Sequence, residues 1–465
     1  MGVLFLLTAC SRPINSASNT EPAAQPPGGP AITDSSSQSA GSTKSSVSPA
    51  STEKTTTSTA AAASAETSAI STTVAVTAAE TTATDAAAVT SADSAPAGAA
   101  IHTPNAAPKE LPDNEALLFA ANMKVGWNLG NTLDCTGSGV GLSGGESAWG
   151  NPKTTPEMIA KVREAGFNTI RIPVSWHDHV DADFNINNAW MDRVAEIVGY
   201  AMNENMYVIL NIHHDDDVRF MYPDSAHYEN SSKYMKAIWR QISERFKDKG
   251  DSLIFEGVNE PRLIGAAHEW DLQNDPVLYK DAAETLNKLN QDFVDTVRAS
   301  GGNNADRYLM VPGICASPES ALDSAFKLPV DTASNHIIVS VHAYRPWNFA
   351  MAAVGDPSCV ETFDMTKSGS TGEISGIMDK LYDKFIKNCV PVIIGEYGVI
   401  NKNNNTAARV EYHSYYIDYA RSRGITCVVW DNGVFTGKSD GYGLFNRIAG
   451  TWKYPEIIDA MMKYS

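Results

Sequence analysis

The sequence predicts a (β/α)8 TIM barrel of the α/β class, preceded by a disordered stalk rich in Ser, Thr and Ala. After Pro108, eight short apolar runs alternate with longer amphipathic stretches, the pattern of a parallel sheet whose outer face is covered by helices. Residues 109–465 are long enough for one such barrel, which needs roughly 250 residues. The alternative is a doubly wound open sheet, but no Gly-rich dinucleotide fingerprint follows the first run.

The apolar runs have the length of strands and little polar character, as strands buried on both faces do. In chain order they are residues 123–129, 169–173, 207–213, 253–259, 308–312, 336–342, 390–396 and 426–430. The amphipathic stretches between them predict helices at residues 156–165, 189–203, 232–249, 282–300, 373–387, 407–423 and 454–463. Several of these helices are expected to end at a C-terminal glycine, namely Gly166, Gly250, Gly301 and Gly424.

Residues 11–108 are predicted to be a disordered low-complexity linker. They contain no Phe, Tyr or Trp, so they have little to bury against the roughly 1–2 kcal/mol per residue that ordering a backbone costs. Residues 109–465 would then form the single folded domain. Ser, Thr and Pro in this proportion are also typical of O-glycosylated stalks.

Residues 1–10 resemble the end of a bacterial lipoprotein signal. Leu7-Thr8-Ala9-Cys10 resembles a lipobox, whose cysteine is lipidated and becomes the mature N-terminus. No Lys or Arg precedes Cys10, although a signal peptide carries a basic start; a start codon placed too far downstream would explain that. We therefore expect an extracellular protein anchored to the cell surface through Cys10, with an accidental apolar start as the alternative.

Charge and cysteine content exclude several classes of function. The net charge is −18 without a Lys/Arg-rich patch, which argues against nucleic acid as a partner. The five cysteines after Cys10 lack CxxC spacing, so neither a disulfide framework nor a zinc site is expected. One disulfide stays open, with Cys359 and Cys389 as the first pair to check.

Polar and aromatic residues gather where the predicted strands end. Because active sites of such barrels lie at the C-terminal strand ends, these residues are candidates for a site. They are Asn131 and Asp134 after the first strand, Arg171, His213 and His214, Asn259 and Glu260, His342 and Tyr344, Glu396, and Trp430. Two glutamates at the tips of separate strands are what glycosidic-bond cleavage needs: one protonates the leaving oxygen, and the other attacks or activates water.

Four phrases of the sequence are similar to glycoside hydrolase family 5, the cellulase-type retaining enzymes of clan A. They are Gly126-Trp-Asn-Leu-Gly-Asn-Thr-Leu-Asp134, Ala148-Trp-Gly-Asn-Pro-Lys-Thr-Thr155, Phe255-Glu-Gly-Val-Asn-Glu-Pro-Arg262 and Ser340-Val-His-Ala-Tyr344. The phrases resemble its subfamily 4, largely endo-β-1,4-glucanases, some acting on xyloglucan or mixed-linkage glucan. The resemblance implies a β-glucan as substrate, and we expect a monomer that needs no cofactor or metal.

The resemblance also implies a role for each candidate residue. Glu260 corresponds to the acid/base and Glu396 to the nucleophile, about 5 Å apart as in retaining enzymes. Arg171 and Tyr344 would orient the nucleophile and keep it ionised. The remaining residues would contact sugar: Asn259 at the 2-hydroxyl, His213, His214 and His342 around the same unit, Trp430 beneath it, and Asn131 with Asp134 at the next unit.

Elementary electrostatics suggests how the two carboxyls divide the work. A guanidinium beside Glu396 should lower the pKa of that carboxyl. The fixed negative charge of Glu396 should in turn raise the pKa of Glu260, as a general acid requires.

Other readings remain open at this stage. A β-mannanase or xylanase would use the same glutamates, and a non-catalytic carbohydrate-binding protein could share the scaffold. The Gly-x-Ser-x-Gly word at residues 141–145 lies in a Gly/Ser-rich loop and is interpreted as a chance match to a nucleophile elbow. Residues 213–217 could hold a metal, although adjacent histidines on a strand point to opposite faces. Four tryptophans could line an open cleft if exposed: Trp149, Trp176, Trp347 and Trp452.

Overall fold

The computed structural model describes residues 102–137, 145–435 and 440–465. Eight parallel strands close a barrel in sequential order, which confirms the predicted fold class. Each strand lies within its predicted run, except that the seventh extends one residue further. The strands are β1 (Val125–Asn128), β2 (Thr169–Ile172), β3 (Tyr207–Asn211), β4 (Leu253–Glu256), β5 (Leu309–Pro312), β6 (Ile337–His342), β7 (Val392–Tyr397) and β8 (Thr426–Val429).

Helices surround the barrel, and all seven predicted ones are present. The helices are α1 (Glu115–Asn122), α2 (Pro156–Glu164), α3 (Asn188–Asn203), α4 (Tyr228–Phe246), α5 (Pro276–Ala299), α6 (Pro318–Leu322), α7 (Trp347–Ala350), α8 (Ser368–Lys384), α9 (Thr406–Arg421) and α10 (Pro455–Lys463). Sequence patterns missed α1, α6 and α7, which have eight, five and four residues, fewer than the roughly 11–18 residues over which helical periodicity is recognised.

Helix ends follow local chemistry. The Asp275 side chain accepts hydrogen bonds from the first backbone N–H groups of α5, and Pro276 occupies the first helical position, where no N–H is needed. Three of the four expected glycines, Gly166, Gly301 and Gly424, have positive φ values. The prediction for Gly250 is wrong, because α4 ends four residues earlier and Gly250 lies in the following turn.

Side chains inside the barrel form two layers of different character. Along β3, Ile209 faces inward while Val208 and Leu210 pack outward against the helices. The inner apolar layer consists of Ile209, Ile254, Met310, Ile338, Ile393 and Val428. Two residues further along the strands, the inward positions are polar and fully buried: Asn128, Arg171, Asn211, Glu256 and Ser340. The alternation of β-strands therefore places a polar layer directly below the C-terminal end of the barrel.

The chain before α1 lies along the outer helices. The Lys109 backbone N–H donates to the Ser422 carbonyl oxygen at 2.8 Å, and the Ala106 N–H donates to the Asp418 carboxylate at 2.9 Å. Cys10 and the stalk before residue 102 lie outside the described residues. Within the described ranges, none of the helices combines the length and the apolar character that a membrane crossing requires.

The five cysteines after Cys10, all within the described ranges, are free. Cys359 and Cys389, the pair that the sequence suggested first, are therefore not joined. Cys135, Cys315 and Cys427 are buried, and they behave as small apolar side chains in the core.

Candidate active site

The two predicted catalytic glutamates meet at the C-terminal end of the barrel. Glu396 lies near the end of β7 and is almost fully buried, whereas Glu260 follows β4 in a loop and is partly exposed. Their nearest carboxylate oxygens are within 4.8 Å of each other, and a ring nitrogen of His342 lies within 4.8 Å of both. This spacing suits a nucleophile and an acid acting on the same bond, since inverting enzymes separate their carboxyls by about 6.5–9.5 Å.

Glu396 is held by two donors. Arg171 Nη1 donates to its Oε1 at 2.7 Å, and the Tyr344 hydroxyl donates to its Oε2 at 2.9 Å. A β-bulge between Val341 and His342 shifts the register so that His342 pairs with Glu396. Gly395 makes room for this arrangement, because a Cβ there would lie 3.3 Å from His342 Nε2.

The Arg171 guanidinium is shared between two carboxylates. Its Nε donates to Glu256 Oε2 at 2.7 Å, and its Nη2 donates to Asn259 Oδ1 at 2.6 Å. Burial lowers the pKa of Arg171, but the charges of Glu256 and Glu396 more than offset this, so the side chain stays cationic. Only part of its charge is therefore directed at Glu396.

His342 controls the protonation of the pair. Its Nδ1 lies 2.7 Å from Glu260 Oε1 and 3.7 Å from Glu396 Oε2. Burial lowers the pKa of His342, but the charge of Glu396 and the hydrogen bond to Glu260 outweigh this and raise it above its ordinary value. A proton on His342 is thus held between two carboxylates.

The pKa order expected from the sequence is reversed. Burial raises the pKa of Glu396, and the charges of His342 and Arg171 offset this only in part. Burial also raises the pKa of Glu260, but the hydrogen bond and charge of His342 outweigh it, and the net direction is downward. The expectation failed because it counted Arg171 and left out both Glu256 and the charge of His342.

Three further predicted residues surround the space beside Glu396. The ring of His213 lies parallel to that of Trp430, with centroids 6.0 Å apart and an interplanar angle of 2°. The pKa of His213 is lowered well below its usual range by burial first and by nearby cationic groups next. Asn259 is fixed by the bond from Arg171. The two rings are too close for another ring to lie between them, because carbon atoms in contact need roughly 3.5–4.0 Å on each side.

Asn131, Asp134 and His214 lie on the side of β1 and β3. The Asp134 carboxylate accepts hydrogen bonds from the backbone N–H groups of Asn131 at 3.0 Å and Thr132 at 2.6 Å. It therefore shapes the loop after β1, and Asn131 adopts the positive φ that this tight turn requires. Burial raises the pKa of Asp134 to about 6, and burial lowers the pKa of His214 to about 4.

Two sets of side chains here have the spacing of metal ligands, Glu260 with His342 and Glu396, and Asp134 with His213 and His214. The first set consists of the two candidate catalytic carboxyls and the histidine between them. In the second set, both Asp134 oxygens already accept backbone N–H groups. The Gly-x-Ser-x-Gly motif at residues 141–145, interpreted as a chance match, has its serine, Ser143, outside the described residues.

The tryptophans differ in their exposure. Trp149 is half-buried, and its ring centroid lies 5.9 Å from that of His214; Trp347 is also half-buried. Trp176 is fully buried, with its Nε1 donating to the Asn211 carbonyl oxygen. Trp452 packs against Phe167 and Phe445. The expectation that Trp176 would line the cleft is therefore wrong.

Sequence reasoning missed the polar layer below the glutamates. Glu256 accepts hydrogen bonds from Arg171, from Asn211 Nδ2 at 3.0 Å and from the Ser340 hydroxyl at 2.5 Å. Asn128 accepts from Arg171 at 3.0 Å. Each of these residues interrupts an apolar run. Each also lies two residues from an inward-facing position on its own strand, and this spacing was the signal in the sequence that could have identified it.

Comparisons with known proteins agree with this geometry. A family model described as cellulase (glycosyl hydrolase family 5) matches residues 133–436. Endoglucanase A of Ruminococcus albus is 42% identical over 357 residues, which cover 76% of this chain and 94% of that protein.

Solved structures are similar as well. A GH5 family lichenase from Caldicellulosiruptor sp. F32 is 51% identical, with a TM-score of 0.77 over 79% of this chain and 100% of that chain. A GH5-4 broad specificity endoglucanase from Ruminococcus champanellensis with bound cellotriose is 40% identical, with a TM-score of 0.69 over 76% of this chain and 100% of that chain. The chain belongs to glycoside hydrolase family 5.

Proposed function

We propose that this member of glycoside hydrolase family 5 is a retaining endo-β-1,4-glucanase in which Glu396 is the nucleophile and Glu260 the general acid and base. The observation that carries the proposal is the spacing of the two carboxylates, within 4.8 Å. Arg171 and Tyr344 fix both oxygens of Glu396, whereas Glu260 Oε1 shares a hydrogen bond of 2.7 Å with Nδ1 of His342. This asymmetry supports attack by Glu396 and proton transfer by Glu260.

The reaction proceeds in two displacements. The Glu396 carboxylate attacks the anomeric carbon, the bond to the glycosidic oxygen breaks, and that oxygen takes a proton from Glu260 as the leaving chain departs. Glu260, now charged, removes a proton from water, and the water oxygen attacks the same carbon. The glycosyl ester bond then breaks and Glu396 is restored, so the product keeps the β configuration.

His342 supplies the proton that Glu260 needs. In the free site the raised pKa of His342 and the lowered pKa of Glu260 keep this proton on the histidine side of a 2.7 Å hydrogen bond. Transfer to Glu260 follows that bond and is uphill in the free site, because the pKa of His342 lies above that of Glu260. Once Glu396 becomes a neutral ester, the negative charge that raises the pKa of His342 is reduced.

The sugar being cleaved would lie above Trp430, with Asn259 at its 2-hydroxyl and His213, His214 and His342 beside it. Asn131 and Asp134 would contact the neighbouring unit. This placement is supported by Arg171, which donates to both Glu396 and Asn259 and so holds the two side chains near each other.

Soluble glucans are the proposed substrates, with mixed-linkage glucan and xyloglucan as candidates beside linear β-1,4-glucan. The similarity to a lichenase and to a broad specificity endoglucanase supports this range. Purified protein is tested on glucans, xyloglucan, glucomannan and xylan. Endo action appears as a rapid fall in viscosity with few new reducing ends; preference for glucomannan or xylan would instead favour the mannanase or xylanase alternative.

Two measurements test the mechanism. NMR of the first product should show the β-anomer, and an α-anomer formed first contradicts double displacement. Glu396→Ala should abolish hydrolysis. Glu260→Ala should still react with aryl glycosides that carry good leaving groups, because the nucleophile survives. Equal losses on activated and natural substrates in Glu260→Ala would show that the two roles are assigned wrongly.

The protein is further proposed to act as a monomer outside the cell, anchored through a lipid on Cys10. The Leu7-to-Cys10 sequence supports the anchor. Because Ala106 is already bonded to the outer helices, the linker would end before residue 102, and as a flexible coil residues 11–101 would span about 50–60 Å. Cys10→Ala, expressed with a basic residue supplied upstream, should be released into the medium. Membrane association that does not change rejects the anchor.

A further inference from the structure

The loop after β3 reaches the backbone of Glu260 through a buried ion pair. Asp216 lies in that loop, and its side chain is 1% exposed. Its Oδ2 accepts a hydrogen bond from Nη1 of Arg262, the second residue after Glu260. Its other oxygen, Oδ1, has no hydrogen-bond partner among the described residues. A buried carboxylate costs free energy even when it is paired, so packing alone does not account for Asp216.

Arg262 connects this carboxylate to the candidate acid/base. The nitrogen that bonds Asp216, Nη1, also donates to the backbone carbonyl oxygen of Glu260 at 3.2 Å. On its other side, Nε donates to Glu269 Oε1 at 2.9 Å, and the guanidinium lies 4.3 Å from the centre of the Trp270 ring. The positive charge of Arg262 is therefore held beside Glu260.

The charge of Arg262 acts on the Glu260 carboxyl. Burial raises the pKa of Glu260, and the hydrogen bond and charge of His342 lower it; the charges of Arg262 and His214 act in the same direction as His342. A general acid must carry a proton, and a guanidinium without a counter-charge beside Glu260 would disfavour that proton. The site therefore needs negative charge close to Arg262.

Asp216 supplies such a charge. The titratable and charged groups that face it are Arg262 and Glu260 from the loop after β4 and Asp215 from its own loop. Burial raises the pKa of Asp216 to about 7; Arg262 opposes this, and the charges of Asp215 and Glu260 add to it. Asp216 thus becomes negatively charged as the pH rises through about 7, where a catalytic proton becomes harder to retain.

We propose that Asp216 is a positioning residue for the acid/base, which holds Arg262 against the Glu260 backbone and offsets the positive charge that disfavours a proton on Glu260. The proposal rests on the proposed function, in which Glu260 protonates the leaving oxygen. Glu269 offsets the same charge from the other side of Arg262. Its side chain is 24% exposed, against 1% for Asp216, so water screens the charge of Glu269 more strongly.

A pair of substitutions separates charge from packing. Asp216→Asn can still accept a hydrogen bond from Arg262 but carries no charge. The basic limb of the pH profile, where kcat/KM on a soluble glucan falls because the catalytic proton is lost, should move about one pH unit lower. Adding Arg262→Gln removes the unbalanced positive charge, so the limb of the double variant should move back toward wild type. A role in packing alone predicts no such recovery, because the second substitution removes further contacts.

The leaving group gives a second readout. At a pH above the basic limb, a shift of one unit should lower kcat/KM of Asp216→Asn on the glucan about tenfold. Dinitrophenyl cellobioside, whose leaving group needs no proton, should stay within about twofold of wild type. Asp217→Asn is the matched control, because it removes a neighbouring exposed carboxylate that pairs with Arg219; it should leave both substrates and the limb unchanged.

Glu269→Gln keeps the test decisive if Asp216→Asn folds poorly. It removes the more exposed counter-charge of Arg262, so the basic limb should move in the same direction by a smaller amount. A basic limb that stays at its wild-type position, or one that does not recover in the double variant, overturns the inference while the proposed function stands. Equal losses of Glu260→Ala on the glucan and on dinitrophenyl cellobioside would instead overturn the role of Glu260, and the inference with it.

Discussion

Replacing Glu256 tests whether the polar layer inside the barrel balances the charge of Arg171. Glu256 is fully buried and accepts hydrogen bonds from Arg171 at 2.7 Å, Asn211 at 3.0 Å and Ser340 at 2.5 Å. In Glu256→Ala all three donors lose their partner, and Arg171 keeps only Glu396 as a counter-charge. Removing one partner of a buried ion pair costs about 3–5 kcal/mol, and we expect a loss in free energy of unfolding of that size.

The glutamine variant separates charge from hydrogen bonding. In Glu256→Gln the amide oxygen can accept from Arg171 and Asn211, while its NH2 donates to the Ser340 hydroxyl, so only the charge is lost. The expected cost is about 1.5–3 kcal/mol, the range of a hydrogen bond to a charged group. With the whole guanidinium charge directed at Glu396, the pKa of Glu396 should fall and the acid limb of the pH–activity profile should move to lower pH.

Urea denaturation and a pH profile of kcat/KM measure these two effects. Glu244→Gln, on the exposed face of α4 beside Lys247, is a matched control that should change neither. A Glu256→Ala variant within about 1 kcal/mol of wild type, or a Glu256→Gln variant with an unshifted acid limb, would refute the view that Arg171 is divided between two carboxylates.

Three other outcomes are expected. Activity needs Glu396 ionised and a proton retained on His342 or Glu260. Burial raises the pKa of Glu396 above its ordinary 4.5, and the carboxylates raise the pKa of His342 above 6.5. The plot of kcat/KM against pH should therefore be bell-shaped, with its acid limb above pH 4.5 and its basic limb above pH 6.5. Burial lowers the pKa of His179 to about 4 from an ordinary 6.5, so protonation favours the unfolded chain and stability is lost as pH falls from 6.5 toward 4; His179→Phe should remove about 3 kcal/mol of that loss in urea titrations. In Gly130→Ala the new Cβ would lie 2.7 Å from the Trp430 ring, so kcat/KM should fall about tenfold with a smaller change in stability, and wild-type kinetics would contradict this placement of the ring.

The fold was predictable because its signals are local. Eight apolar runs separated by amphipathic stretches set the strand count, and the observed strands differ from the predicted runs by a few residues at most. Glu260 and Glu396 were found because each follows an apolar run. The burial of Trp176 was not predictable from the sequence. Its indole N–H is satisfied inside the protein by the carbonyl oxygen of Asn211, a residue of β3 that is distant in sequence.

The protonation of the site was not predictable for a different reason. A pKa depends on every charge within a few ångströms, and the decisive ones come from four strands: Arg171 on β2, Glu256 on β4, His342 on β6 and Glu396 on β7. Reasoning from pairs in the sequence matched Arg171 with Glu396 and stopped there. Short sequence motifs identify which residues react. The protonation state of those residues depends on the distances between their charged groups, which only the structure gives.

The inward positions of the barrel strands connect these observations. Successive inward side chains are two residues apart, so the register that places the catalytic groups also fixes the inward positions below them. Those positions include Glu256 on β4 and Ser340 on β6, which bond each other at 2.5 Å. Glu256 balances part of the positive charge of Arg171. The negative charge of Glu396 is therefore balanced by His342 as well as by Arg171. The proton that catalysis requires thus lies on His342, between the two carboxylates. The polar layer beneath the site favours this position, because Glu256 takes up part of the charge of Arg171.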